Sequence, residues 1–134
     1  MRKTLLLACL LVSPVVFAEA DISKINGSIK TESGKSYGSL STVNGSIVLK
    51  ADSQADDVET VNGSVSIEDE AAVEKVETVN GAIRIGSNVR INNNVKNVNG
   101  SITINTGTAV GGDIKTNSGS IRLTGVRVAK DVKV

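Results

Sequence analysis

The chain has 134 residues, with 15 Lys and Arg against 14 Asp and Glu, and it contains neither His nor Trp. Without an imidazole the sequence excludes the catalytic triads and most of the metal hydrolases that depend on one. Phe17 and Tyr37 are its aromatic residues, and its formal net charge is +1, so we expect no nucleic-acid partner.

The first twenty residues have the order of a secretory signal peptide. Arg2 and Lys3 precede the apolar run 4–12 (TLLLACLLV), and Ser13-Pro14 introduces the small-residue end VVFAEA. We predict a signal peptide at 1–20 with cleavage after Ala20, or after Ala18, and a domain at 21–134. The predicted location is the periplasm, the cell surface or the medium. No other run is long enough to cross a membrane, so no transmembrane segment is expected in the mature chain.

Cys9 lies inside the apolar run and permits two interpretations. Leu6-Leu7-Ala8-Cys9 is similar to a lipoprotein box, although only eight residues precede the cysteine. In the other interpretation Cys9 is removed with the signal peptide, and the mature chain then has neither a disulfide nor a thiol nucleophile. That mature chain keeps 13 Lys and Arg and 13 Asp and Glu, because Arg2, Lys3 and Glu19 leave with the signal.

One short phrase repeats six times along the rest of the chain. Its copies are INGSI (25–29), VNGSI (43–47), VNGSV (61–65), VNGAI (79–83), VNGSI (98–102) and the degenerate NSGSI (117–121). Their glycines are Gly27, Gly45, Gly63, Gly81, Gly100 and Gly119, so the spacing from copy to copy is almost constant. A fixed period of this kind is typical of a solenoid.

The residues within each copy predict β-strands. Alternation places Val43, Ile47 and Leu49 on one face and Asn44, Ser46 and Val48 on the other. Aliphatic positions also recur every six residues, from Ile25 through Val43, Val61 and Val79 to Ile91. Three such steps per repeat predict an all-β, single-domain parallel β-solenoid, a triangular β-helix of about six turns, each of about eighteen or nineteen residues.

The recurring Asn-Gly pair predicts two columns along this solenoid. We expect the glycines to form tight corners and the asparagines to form a ladder of amides, with Asn117 as a shifted sixth member. The alternative is a polar stripe of Asn and Ser that binds a ligand. An ice-binding face is disfavoured, because Thr42, Thr60 and Thr78 give way to Lys24 and Asn97. The ladder residues are Asn26, Gly27, Asn44, Gly45, Asn62, Gly63, Asn80, Gly81, Asn99, Gly100 and Gly119.

Charge is unevenly distributed along the chain. Residues 52–77 hold nine carboxylates and one lysine, whereas residues 84–134 hold eight Lys and Arg and two Asp. A solvated surface explains this pattern, with cation binding or self-association as alternatives. Gly111-Gly112-Asp113 is a single echo of the calcium-binding nonapeptide. We predict no catalytic, cofactor or metal residues, and an enzyme would need a carboxylate pair such as Glu68 and Glu70.

The phrase V-x-T-V-N-G-S-I-x-I resembles the bacterial β-strand-repeat proteins grouped as adhesins. More distantly, Val110-Gly-Gly-Asp-Ile114 is similar to phrases of the bactofilins, β-helix proteins that polymerise end to end. The resemblance covers 21–134 and brings no catalytic residues. It implies an exported, non-enzymatic structural or interaction protein whose partners are envelope or surface components or a second copy, end to end or side by side. The alternative is a binding module with an Asn/Ser or acidic face for a ligand or cation.

Overall fold

The computed structural model of the chain describes residues 20–134, so the predicted signal peptide, apart from Ala20, lies outside the described residues. This part of the chain is built from strands and contains no helix. Its strands are β1 (Ala20–Asn26), β2 (Ile29–Lys30), β3 (Tyr37–Asn44), β4 (Ile47–Leu49), β5 (Gln54–Asn62), β6 (Val65–Ile67), β7 (Ala72–Asn80), β8 (Ile83–Ile85), β9 (Arg90–Ile91), β10 (Val95–Asn99), β11 (Ile102–Ile104), β12 (Ala109–Val110), β13 (Ile114–Ser118), β14 (Ile121–Leu123), β15 (Arg127–Val128) and β16 (Val132–Lys133).

Every strand pairs in parallel with its equivalent one repeat away. One sheet runs β1-β3-β5-β7-β10-β13-β16, with β9, β12 and β15 attached beside it, and the other runs β2-β4-β6-β8-β11-β14. Asn44 lies opposite Asn62, 18 residues on, and Asn80 lies opposite Asn99, 19 residues on. The predicted parallel β-solenoid of about six turns is confirmed.

Each turn contributes three pairs of inward side chains, one from each run of strand. In the second turn these pairs are Leu40 with Thr42, Ile47 with Leu49, and Ser53 with Ala55, all of them buried. Equivalent residues of successive turns stack into a continuous aliphatic core. Because a single turn cannot cover both sides of its own inward residues, neighbouring turns are what bury this core.

The prediction that Val43 shares one face with Ile47 and Leu49 is wrong, and so are its equivalents in the other repeats. Val43, Val61, Val79 and Val98 are 38–40% exposed, and Ile25 is 71% exposed. The strand ends at Asn44 and a new one begins at Ile47, with a glycine corner between them. Alternation with a period of two does not carry across this corner, so the inward residues are Thr42 and Ile47 rather than Val43.

The repeat lengthens by one residue, from 18 to 19 residues, at a defined place in the structure. Ala72–Asn80 is one continuous strand, whereas the next turn is split into Arg90–Ile91 and Val95–Asn99. The additional residue lies in the corner Asn92-Asn93-Asn94. The backbone N–H groups of Asn92 and Asn93 still donate to the carbonyls of Val73 and Glu74, at 3.0 and 2.8 Å. Gly111-Gly112-Asp113 is the same corner one turn later, which gives this motif a structural role.

The two ends of the described solenoid differ. In the last turn Ile121, Leu123, Val126 and Val128 pack on the core but are only partly buried, since no further turn covers them. In the first turn Lys24 lies opposite the buried Thr42, and its Nζ donates to the carbonyl of Ser28 at 2.9 Å. A charge at such a position discourages pairing with another strand at that edge. Residues 20–134 contain no helix long and apolar enough to cross a membrane.

Candidate interaction face

The corner of each turn is formed by glycines that stack directly on one another. Gly63 has φ of +157°, a value in the region that favours glycine. A Cβ on Gly63 would lie 1.9 Å from the carbonyl oxygen of Gly45. The other stacked members, Gly81, Gly100 and Gly119, meet the same obstacle one turn apart. From Gly45 onwards the column therefore excludes any side chain, whereas a Cβ on Gly27 would meet only the Lys24 side chain, at 3.7 Å.

Beside this glycine column the asparagine side chains form a hydrogen-bonded ladder. Asn44 Nδ2 donates to Asn26 Oδ1 at 3.0 Å, and the same bond at the same distance recurs from Asn62 to Asn44, from Asn80 to Asn62 and from Asn99 to Asn80. The placement of Asn117 in this column is wrong. Ser118 is the residue opposite Asn99, so Asn117 falls in line with Val98.

A buried threonine column on the inner side of the same strand was missed by sequence reasoning. Thr42, Thr60 and Thr78 donate from Oγ1 to the carbonyls of Gly27, Gly45 and Gly63 at 2.9, 3.1 and 3.3 Å. Each hydroxyl thus gives a part-buried corner carbonyl a hydrogen-bond donor. The sequence does contain a pattern that indicates this column, because Thr recurs three residues before Gly45, Gly63, Gly81 and Gly119.

Asn97 interrupts the threonine column. It lies opposite Thr78 and Thr116, and its Nδ2 donates to the carbonyl of Gly81 at 2.9 Å. Its side chain is almost fully buried, at 3% exposure, and its Oδ1 has no hydrogen-bond partner among the described residues. The amide therefore replaces the hydroxyl as a donor, with one polar atom left over.

The exposed valines form a continuous aliphatic ridge on the outer surface of these strands. We call this ridge, with its flanking columns, the ridge face; the ridge consists of Ile25, Val43, Val61, Val79 and Val98. The asparagine ladder borders it on one side. A shallow groove of about 320 Å³ follows its other side, between the valines and a column of polar residues.

That polar column, the charged column, changes sign along the solenoid. Its members in order, each opposite the next, are Ser23, Ser41, Glu59, Glu77, Lys96, Lys115 and Lys133. Lys75 lies beside its acidic part, with its Nζ 3.5 Å from Glu77 and 3.6 Å from Glu59. The carboxylate of Glu77, with smaller contributions from Asp57 and Glu59, raises the pKa of Lys75 above its usual value.

Two other carboxylates of the acidic segment make structural contacts. Glu68 forms an ion pair of 3.2 Å with Lys50, and Asp69 Oδ1 accepts a hydrogen bond from the backbone N–H of Ser87 at 2.8 Å. Within residues 20–134, no three His, Cys, Asp or Glu side chains lie close enough to hold a metal ion. The contact between serines of the repeat phrase is also weak, since Ser28 Oγ accepts a long hydrogen bond of 3.4 Å from the backbone N–H of Ser46.

The ridge face is thus the most distinctive surface of the described chain, a flat apolar strip bordered by amides and by charges of both signs. Its regularity follows directly from the repeat. A comparison of the chain with protein-family models finds no match, and comparisons with curated proteins and with solved structures find none either.

Proposed function

We propose that this chain is an exported, non-enzymatic structural or interaction protein of the bacterial envelope or cell surface, adhesin-like in its mode of action. The observation that carries the proposal is the ridge face. Scattered exposed hydrophobic residues are ordinary, but an unbroken aliphatic strip with polar borders has the composition of a protein-interaction surface. The proposed location in the envelope or at the cell surface rests on the signal-like residues 1–20 and on the resemblance to adhesin-type repeat proteins.

The stacked glycines and the parallel ladders make this surface rigid, which favours binding. A surface already in its bound shape loses little conformational freedom when a partner arrives. The same rigidity suits a structural element better than an enzyme, whose catalytic groups converge in a cleft.

Export is tested by expressing the whole chain in a bacterium and fractionating the cells. We expect the protein outside the cytoplasm, with Asp21 or Glu19 as its first residue by mass spectrometry. Replacing Leu6 by Arg within the apolar run should retain the chain in the cytoplasm. An uncleaved wild-type chain in the cytosol would contradict the location.

The interaction role is tested with the protein comprising residues 21–134 and isolated envelope fractions. We expect Val61→Ser together with Val79→Ser to abolish retention on the envelope, because both side chains are exposed on the ridge and contribute little to the core. Arg84→Ser, on the other sheet, is the matched control. Equal retention of wild type and both variants would refute the role of the ridge face.

A further inference from the structure

We propose that the partner of the ridge face is a second copy of this chain, packed face to face with the two solenoids antiparallel. The inference rests on the ridge face being the interaction surface proposed above, but it does not depend on export. Its basis is that the charged column is complementary to itself when it is reversed.

The charged column carries like charges next to one another in the monomer. Glu59 lies opposite Glu77, and Lys96 lies opposite Lys115, so the two members of each pair repel each other across the sheet. Between the pairs, Glu77 lies opposite Lys96, of the opposite sign. Lys75 offsets the acidic pair through its two ion pairs. Among the residues that the structure describes, neither Lys96 nor Lys115 has an acidic side chain within ion-pair distance.

A two-fold axis along the strand direction, placed between the turns of Glu77 and Lys96, resolves this repulsion. Such an axis keeps each column opposite its own copy and reverses the order of turns. Glu77 then faces Lys96 of the second copy, and Glu59 faces Lys115 of that copy. The interface is isologous, so each of these pairs forms twice.

The same axis brings the two ridges together. Val79 of one copy faces Val98 of the other, and Val61 faces Asn117, so the central part of each ridge is covered while the charge pairs lie alongside. Ile25 and Val43 lie beyond this overlap. The alternative parallel arrangement keeps turns at equal height, which places the acidic turns of both copies together. Charge therefore selects the antiparallel dimer. Asp57 and Lys75, which lie opposite each other two residues before Glu59 and Glu77, are at the margin of this contact.

The expected affinity of the dimer follows from the size of the contact between the two ridge faces. The four overlapping turns at about 4.8 Å and four residues at about 3.3 Å give a flat area of roughly 250 Å² per copy. This is well below the roughly 800 Å² per partner of a standard interface. We therefore expect a weak, reversible dimer, with a Kd on the order of 10 to 100 µM.

Sedimentation equilibrium of residues 21–134 tests the dimer, over a range from about 5 to 500 µM. We expect monomer at the low end and dimer at the high end, without larger species. Glu77→Lys and Lys96→Glu should each raise the Kd by at least about ten-fold. Arg84→Glu, an equally large change of charge on the other sheet, should leave it unchanged. Circular dichroism of each variant verifies the fold.

The decisive experiment mixes the two single variants in equal amounts. Antiparallel packing predicts that Glu77→Lys and Lys96→Glu chains form a heterodimer at concentrations where each alone is largely monomeric, because all their cross-pairs become opposite in sign. The double variant Glu77→Lys/Lys96→Glu should recover the wild-type Kd. A monomer at every concentration, or a dimer indifferent to these changes, would overturn the proposal. Neither result bears on export, and envelope binding with no dimer would point to another partner.

Discussion

At the scale of single residues, the inward threonine position shows how one atom determines stability. A hydroxyl there donates to the part-buried corner carbonyl, whereas Asn97 donates to it from an amide whose own buried Oδ1 has no partner among the described residues. A buried polar atom without a partner costs about 1–3 kcal/mol. Asn97→Thr should thus raise the free energy of unfolding by about 1 kcal/mol, measured by urea denaturation.

Asn97→Val separates this explanation from simple packing. Valine has the shape of threonine but leaves the Gly81 carbonyl without a side-chain donor, so we expect no gain in stability. If Asn97→Val stabilised the protein as much as Asn97→Thr, the hydrogen bond to the corner carbonyl would not be the cause.

The stacked glycines give a second prediction at this scale. Gly63→Ala should lower the free energy of unfolding by about 3 kcal/mol or more, because its Cβ would overlap the Gly45 carbonyl. Gly34→Ala is the control: Gly34 has φ of +75°, and nothing lies within 4 Å of its added Cβ. It should lose about 1 kcal/mol from backbone strain alone. Equal losses in thermal denaturation would show that contact between glycines is unimportant.

At the scale of elements, the asparagine ladder links turns through their side chains. Asn62 takes part in two of its bonds, whereas Asn26 takes part in one. Each bond contributes about 0.5–1.5 kcal/mol at most, and exposure reduces this further. We expect Asn62→Ala to cost about 1 kcal/mol and Asn26→Ala about half of that, by chemical denaturation. A larger loss for Asn26→Ala would argue against the ladder as the source.

The elements also show what the sequence could reveal. The period, the strands and the burial of Ile47 and Leu49 all follow from the repeat, because both residues lie within one uninterrupted strand. The outward orientation of the Val43 side chain does not follow from the repeat. The alternation of inward and outward residues is interrupted at a glycine corner, and the geometry of that corner depends on the neighbouring turns.

The ridge face was missed for the same reason. Alternation groups Val43 and its equivalents with the buried Ile47 and Leu49, and so predicts no apolar strip on the surface. The order of charges in Glu59, Glu77, Lys96 and Lys115 becomes meaningful only when the register places these residues in one column. Register is a property of the stacked turns, and no single repeat contains it.

At the scale of the whole molecule, each turn contacts only its neighbours, so turns should be removable. Deleting residues 62–79 joins Val61 to Asn80 and removes one complete repeat. We expect a folded, shorter solenoid that unfolds in one transition, with a smaller dependence of the unfolding free energy on urea because less surface is buried.

A deletion of half a turn, residues 62–70, is the matched control. It places an inward run of one turn against a different run of the next, so the shortened chain should fail to fold. If circular dichroism showed this shorter chain folded as well as the full-period deletion, the solenoid would not require the register of its repeats.

The backbone bonds at the corners also protect the chain chemically. Asn-Gly is the dipeptide most prone to deamidation, which begins when the glycine nitrogen attacks the asparagine side chain. In this fold the N–H groups of Gly27, Gly45, Gly63, Gly81 and Gly100 all donate to carbonyls of the next turn at 2.8–3.0 Å. We expect the folded protein to keep its amides during prolonged incubation at alkaline pH, and the urea-unfolded chain to lose them, by intact mass spectrometry. Refolding would then place several new carboxylates in one column. Because deamidation is irreversible, the number of these carboxylates would increase with the time that a molecule had spent unfolded.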